Sequence, residues 1–142
     1  MRIDLFITLS RLTGTHGTTF GGSPLACALG HYVLSRISDP SFVAQIKHTS
    51  SHLLARASLL PTFFPSLIGP TVRGRGLIVG ISLLDPTLPN QLRTLCRERG
   101  VLVLTAGKDA IRLVPSLNIS QSDVDKAMDV LESCLGLMQG SR

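Results

Sequence analysis

Seven uncharged residues, Leu77-Ile78-Val79-Gly80-Ile81-Ser82-Leu83, stand between Thr71-Val72-Arg73-Gly74-Arg75-Gly76 and the turn Asp85-Pro86. A short apolar run bounded by turn signals reads as a buried strand. The rest of the chain has to be arranged around it. Pro61 to Pro70, before it, reads as an irregular connection. Beyond it, Leu92, Leu95 and Cys96 mark a helix ending at Gly100, a residue suited to a helix C-terminus. Val101 to Thr105 reads as a short strand, Ala106-Gly107-Lys108-Asp109 as a turn, and Ala110 to Val114 as another strand stopped by Pro115.

The period upstream is helical. Ser23 is a good cap and Pro24 suits a first helical position, after which Leu25, Leu29, Val33 and Ile37 recur at helical spacing. Asp39-Pro40 breaks that helix and caps the next. Its apolar stripe is Val43, Ile46, Ser50, Leu53, Leu54, Ala57 and Leu60, and it should end near Pro61. Lys47, His48, Ser51 and Arg56 fall mainly on its other faces. Ser120-x-x-Asp123 opens a last helix in the manner of a capping box, with Val124, Ala127, Met128, Leu131, Leu135 and Met138 as its apolar face. The order is two helices, then strand, helix, strand, strand and helix. The predicted class is α/β or α+β, with helices packed on one face of a small sheet.

At 142 residues the chain suffices for one compact domain. Hydrophobic residues make up 44% and Trp is absent, so the core must be aliphatic. Of the 14 basic residues only Lys47, Lys108 and Lys126 are lysines, and the arginines are scattered rather than clustered beside aromatics. That pattern argues against a nucleic-acid face. No stretch reaches the length of a membrane span. Cys27, Cys96 and Cys134 make no metal-binding spacing, and each lies in an apolar helical pattern that predicts a buried, reduced thiol.

Two places could carry chemistry. Gly14-Thr-His-Gly-Thr-Thr-Phe-Gly-Gly22 runs straight into a helix start, and its hydroxyls and backbone amides could cradle an anion at the positive helix end. By spacing alone, such a loop is more often only a tight turn. His16 has no partner beside it that would make it catalytic. Arg112 sits between Ile111 and Leu113 on a short apolar strand, where its charge needs a partner. Its fork suits a carboxylate, either of the protein or of a substrate. Arg73 and Arg75 read as a solvated strand entry.

Gly14-Thr-His-Gly-Thr-Thr-Phe-Gly-Gly-Ser-Pro-Leu-Ala-Cys-Ala-Leu-Gly30 resembles the loop and helix start of class III aminotransferases. Val72-Arg-Gly-Arg-Gly-Leu-Ile-Val-Gly-Ile81 looks like their small-domain strand. Cys96-Arg-Glu-Arg-Gly-Val-Leu-Val-Leu-Thr-Ala-Gly107 and Ile111-Arg-Leu-Val-Pro-Ser-Leu117 are similar to the acetylornithine branch. The likeness runs in order from about Gly14 to about Leu137, while residues 1–13 match poorly and Ser23 stands where the family usually has Asn.

The resemblance implies the C-terminal portion of a fold type I transferase that uses pyridoxal phosphate and transfers an amino group between an acylated ornithine and 2-oxoglutarate. It places Thr19, with Thr18 beside it, on the cofactor phosphate of a neighbouring subunit, and Arg112 on the substrate α-carboxylate. No catalytic or metal-ligating residue is assigned. Residues 1–38 would end the cofactor domain and residues 39–142 would form the small domain. In this family the lysine that carries the cofactor lies upstream of the threonine loop, and the chain's own lysines stand in other contexts. The chain is therefore expected to be inactive alone, working as part of a homodimer or beside a full-length subunit. The family further implies the mitochondrial matrix for a eukaryotic source and the cytoplasm for a bacterial one.

Overall fold

The structure, a computed structural model, describes residues 17–140. The chain divides into two compact units, one ending at Phe42 and the other beginning at Val43. His16, discussed above, lies outside the described residues.

In the first unit, helix α1 spans Pro24–Ile37. Ser23 has extended backbone angles and its Oγ accepts a hydrogen bond from the Ala26 N–H at 3.3 Å, while Pro24 fills the first turn. Both features follow from the sequence, because a proline loses nothing where the N–H would have no partner. None of the side chains of α1 is buried, and Leu25, Leu29, Tyr32, Val33 and Leu34 are all more than half exposed. Cys27, on the same helix, is exposed, which corrects the expectation that it is buried.

Helix α2 spans Pro40–Phe63. Asp39 caps it, its Oδ1 accepting the N–H groups of Ser41 at 2.9 Å and Phe42 at 3.0 Å and the Ser41 hydroxyl. The buried stripe is Thr49, Leu53, Ala57 and Leu60, so Thr49 takes the place expected of Ser50. Pro61 lies inside the last turn, and the helix runs on to Phe63.

In the second unit four strands form an antiparallel sheet in the order β1-β2-β4-β3: β1 Ile68–Arg75, β2 Ile78–Leu83, β3 Leu104–Ala106 and β4 Ala110–Leu113. Helix α3, Leu88–Glu98, separates β2 from β3, and helix α4, Gln121–Gly140, follows β4. Strand β1 was not expected, since Pro70 argued for a loop. The chain admits that proline because β1 is an edge strand and its register shifts between Ile68 and Val72, where no regular ladder donor is required. Arg75 pairs with Ile78, leaving Gly76-Leu77 as a two-residue hairpin turn, and Gly76 takes the positive φ of 62° that this turn needs at its first position. Gly100 closes α3 at φ 81°, with its own N–H on Arg97 O and the Val101 N–H on Cys96 O.

One face of the sheet is covered by helices. Val79, Ile81 and Leu83 of β2 and Ile111 of β4 pack there with Leu53, Leu60, Leu92, Val124, Met128, Leu131 and Leu135, an aliphatic core as the composition required. The run from Leu77 to Leu83 is nevertheless not buried on both sides. Ile78 is exposed, and Gly80 and Ser82 are half-buried, so the opposite face of the sheet is open.

An ion cluster ties α2 to α4. Arg56 donates from Nη1 to Asp125 at 2.9 Å, and from Nη2 to Asp129 at 2.8 Å and Glu132 at 3.0 Å; His52 Nε2 lies 2.7 Å from Asp125. The three carboxylates hold the Arg56 guanidinium above its usual pKa, Asp129 and Glu132 contributing most. Partial exposure and solvent screening keep the cluster's value modest, so Arg56→Met should lower stability by about 1–2 kcal/mol in urea melts. The hydrogen bond from His52, and then Arg56, holds the Asp125 carboxyl below its ordinary range. A depressed carboxyl contributes stability above its unfolded pKa of roughly 4 and loses it as pH falls through the folded value. The gap between wild type and Arg56→Met should therefore be full at pH 7 and shrink below about pH 4.

Candidate functional site

The glycine-hydroxyl loop has a built-in turn. Thr18 Oγ1 accepts the Gly21 N–H at 2.7 Å, which closes the segment Thr18–Gly21 on itself. A Cβ at Gly21 would stand 2.9 Å from that oxygen, so the residue must be small for the turn to close. Gly22 follows with φ 80°, a conformation that favours glycine, and delivers the chain to the Ser23 cap. The Thr19 hydroxyl is left exposed, with no hydrogen-bond partner among the described residues. The two threonines therefore differ: Thr18 shapes the loop, and the Thr19 hydroxyl is exposed. A hydroxyl donor, small residues and a helix start form a donor set that suits a phosphate.

Arg112 lies on the open face of the second unit's sheet. Its backbone pairs with Gly80 of β2 on one side and Leu104 of β3 on the other. Directly paired residues point to the same face, so Arg112 stands opposite the buried Ile111 and Val79. The side chain is exposed and forms no ion pair among the described residues. Neither of the two partners left open by the sequence is present among the described residues. Arg73 pairs with Gly80 from the other side, and its Nη2 donates to Ser82 Oγ at 3.3 Å. Arg73, Gly80, Arg112 and Leu104 thus form one cross-strand row. The sequence alone placed Arg73 at a strand entry, because the hairpin that sets its register went unrecognised.

The second unit also carries a cleft of about 450 Å3 on its helical side, lined by Leu53, Val103, Leu113, Ile119, Met128 and Leu131, with Arg99, Asp123 and Lys126 among the polar residues. It includes neither Arg112 nor Arg73. No group of three or more His, Cys, Asp or Glu among the described residues could hold a metal ion, and no described helix is long and apolar enough to cross a membrane.

Cys96 and Cys134 are both fully buried, as expected. Burial first, and the neighbouring Cys134 after it, push the Cys96 thiol up to about 12, far from the thiolate that reacts. Under native conditions a maleimide should label Cys27 alone, with Cys96 and Cys134 modified only on unfolding. Mass spectrometry of the labelled chain checks this, and rapid native labelling of Cys134 would contradict it.

Comparison with known proteins agrees with this architecture. The profile of the family Aminotransferase class-III matches residues 7–135. The mitochondrial acetylornithine aminotransferase of Neurospora crassa is 42% identical over 119 residues, covering 84% of this chain and 25% of the relative. That of Saccharomyces cerevisiae is 38% identical over 122 residues, covering 86% of this chain and 28% of the relative. The crystal structure of acetylornithine aminotransferase from Elizabethkingia anophelis superposes with a TM-score of 0.75 at 28% identity, over 87% of this chain and 31% of that one. The fold is that of part of a pyridoxal-phosphate-dependent aminotransferase. The chain belongs to the class III aminotransferase family and is acetylornithine aminotransferase-like. It spans about a quarter of the length of the curated relatives it matches.

Proposed function

We propose that this chain is the part of a class III transaminase that grips the substrate carboxylate and one side of the cofactor phosphate. The reaction moves an amino group between N-acetylornithine and 2-oxoglutarate, in arginine biosynthesis. The observation that carries the reading is Arg112, an exposed guanidinium with no counter-ion among the described residues, in a chain whose relatives are named acetylornithine aminotransferases. When bound, pyridoxal phosphate would supply the carbonyl that takes up the amino group and the electron sink that stabilises charge at the substrate α-carbon. Thr19 would donate its hydroxyl to a phosphate oxygen of a neighbouring subunit's cofactor, in a loop whose shape Thr18 maintains. Arg112 would take the α-carboxylate in two parallel hydrogen bonds, orienting the donor so that its amino group is presented in one direction only.

The lysine that carries the cofactor would be supplied outside this sequence. Lys126 is held by Asp123 at 3.1 Å, Lys47 projects from α2 and Lys108 sits in the β3–β4 turn. Those contexts favour a chain that works only with a complete large domain, in a homodimer or beside a full-length subunit. In the same reading residues 1–38 end the large domain, residues 39–142 form the small one, and the compartment is the mitochondrial matrix for a eukaryotic source, in line with the fungal relatives' names, and the cytoplasm for a bacterial one.

The test is a chimera in which residues 14–140 replace the corresponding stretch of the Saccharomyces cerevisiae enzyme. It should bind pyridoxal phosphate and transaminate N-acetylornithine with 2-oxoglutarate, and Thr19→Val should weaken cofactor retention about tenfold. A folded, cofactor-bound chimera with no transaminase activity would contradict the proposal.

A further inference from the structure

We propose that the cleft on the helical side of the second unit binds an unbranched aliphatic carboxylate of about eight carbons, its chain between α4 and the unpaired arms of the β3–β4 hairpin and its carboxylate on Arg99. The site is independent of Arg112, which stands on the opposite face of β4 from the lining residue Leu113.

The hairpin explains why a cleft forms here. The ladder between β3 and β4 ends at Leu104 and Arg112. Continuing its register would set Pro115 opposite Val101, and a proline has no N–H to donate. Residues 101–103 on one arm, and Val114 and Pro115 on the other, run on outside any strand, and both arms border the cleft. Helix α4 forms another wall through Val124, Ala127, Met128 and Leu131, which share one helix face.

The lining selects an alkyl chain. Leu53, Val103, Met128 and Leu131 are buried, whereas Val101, Leu113, Ile119 and Val130 are only half-buried. None of the lining residues is aromatic. No buried side-chain nitrogen or oxygen among the described residues lacks a hydrogen-bond partner. The cleft therefore offers neither a ring to stack on nor an orphaned polar side chain to match. Its volume of about 450 Å3 is that of a small-molecule site.

The charges fix the sign of the head group. Arg99, Asp123 and Lys126 are the charged lining residues, and all three are exposed. Lys126 Nζ lies 3.1 Å from Asp123 Oδ1, so these two cancel. Arg99 Nη1 donates to Leu95 O at 3.2 Å, which holds the guanidinium at the end of α3. It forms no ion pair among the described residues. One positive charge is left over beside an apolar cleft, and it matches a single carboxylate.

The 142-residue chain should be titrated with octanoate, hexanoate and octylammonium at low ionic strength, by calorimetry and by methyl resonances. Octanoate should bind about tenfold more tightly than hexanoate, because two methylenes fewer are buried. It should also bind about tenfold more tightly than octylammonium, and shift the methyl signals of Val103, Leu113 and Met128. Arg99→Met should remove the preference for octanoate over octylammonium. Ala127→Phe, which fills the cleft from α4, should abolish octanoate binding. Arg99 is exposed, so its substitution reads binding even where Ala127→Phe disturbs the fold. Arg93→Met, on an exposed part of α3 outside the cleft, should change binding less than about twofold. No saturable binding, shifts confined to the exposed leucines of α1, no preference for the longer or the anionic ligand, or an equal loss on Arg93→Met would overturn the inference. Binding to the 142-residue chain that vanishes in the folded chimera would also overturn it, with a segment of the large domain as the occupant.

Discussion

Gly74→Ala should destabilise the second unit by about 1–3 kcal/mol, more than most changes outside the aliphatic core. Gly74 pairs with Val79, and a Cβ built there lies 2.7 Å from Ile78 O and 3.1 Å from Val79 Cα. Both obstacles are backbone, so no side-chain rotation relieves the contact. The β1–β2 hairpin would have to open at its tightest point, next to the turn at Gly76. Urea melts should show the loss, and amide exchange should quicken first along Val72–Arg75 and their partners on β2. Unchanged stability would mean that the hairpin is looser than the structure describes. Gly80→Ala, one residue beyond Val79 and on the other face, should by contrast be nearly neutral.

Arg112→Met in the chimera should lower kcat/KM for the amino donor about 100-fold, equivalent to about 2.7 kcal/mol of transition-state stabilisation. Methionine keeps the bulk of the side chain and removes the fork, so the loss measures carboxylate recognition and not packing. The strand should be unharmed, because Arg112 is exposed and makes no contact that holds β4 to its neighbours beyond the backbone ladder. Arg112→Lys keeps the charge but not the paired donors, and should recover only part of the loss. A drop in stability equal to that of Gly74→Ala would show the residue to be structural.

Much of this fold is legible from punctuation in the chain. Ser23-Pro24, Asp39-Pro40, Ser120 and Gly100 each act at a helix end through a local hydrogen bond or a backbone angle, and local chemistry is what sequence carries best. The edge strand β1 was not legible, because Pro70 and two glycines, Gly69 and Gly74, argue against a strand unless its position at the sheet edge is known. Without β1 the run from Leu77 to Leu83 looks buried on both sides. Nothing then indicates that Gly80, Ser82, Arg73 and Arg112 share an open face.

The site was legible in the same uneven way. Arg112 could be singled out because a cation inside an apolar strand calls for a partner, but which partner it has depends on neighbours remote in sequence. The division of labour between Thr18 and Thr19 is invisible in two adjacent, identical residues and emerges only when the Gly21 N–H is seen to turn back on the first. Cys27 was misjudged because helical spacing of apolar residues shows which face is apolar and not whether anything covers it. Arg56 was set on an outer face for a similar reason: its three carboxylate partners lie 69 to 76 residues away.

The most direct test of the central claim is to compare the chimera's kcat/KM for its amino donor with that for the same amine lacking the α-carboxylate, in wild type and in Arg112→Met. The wild-type protein should prefer the carboxylate-bearing donor by about 100-fold or more, and Arg112→Met should bring the two within a few-fold of each other. A preference that survives the substitution would mean that Arg112 does not read the carboxylate.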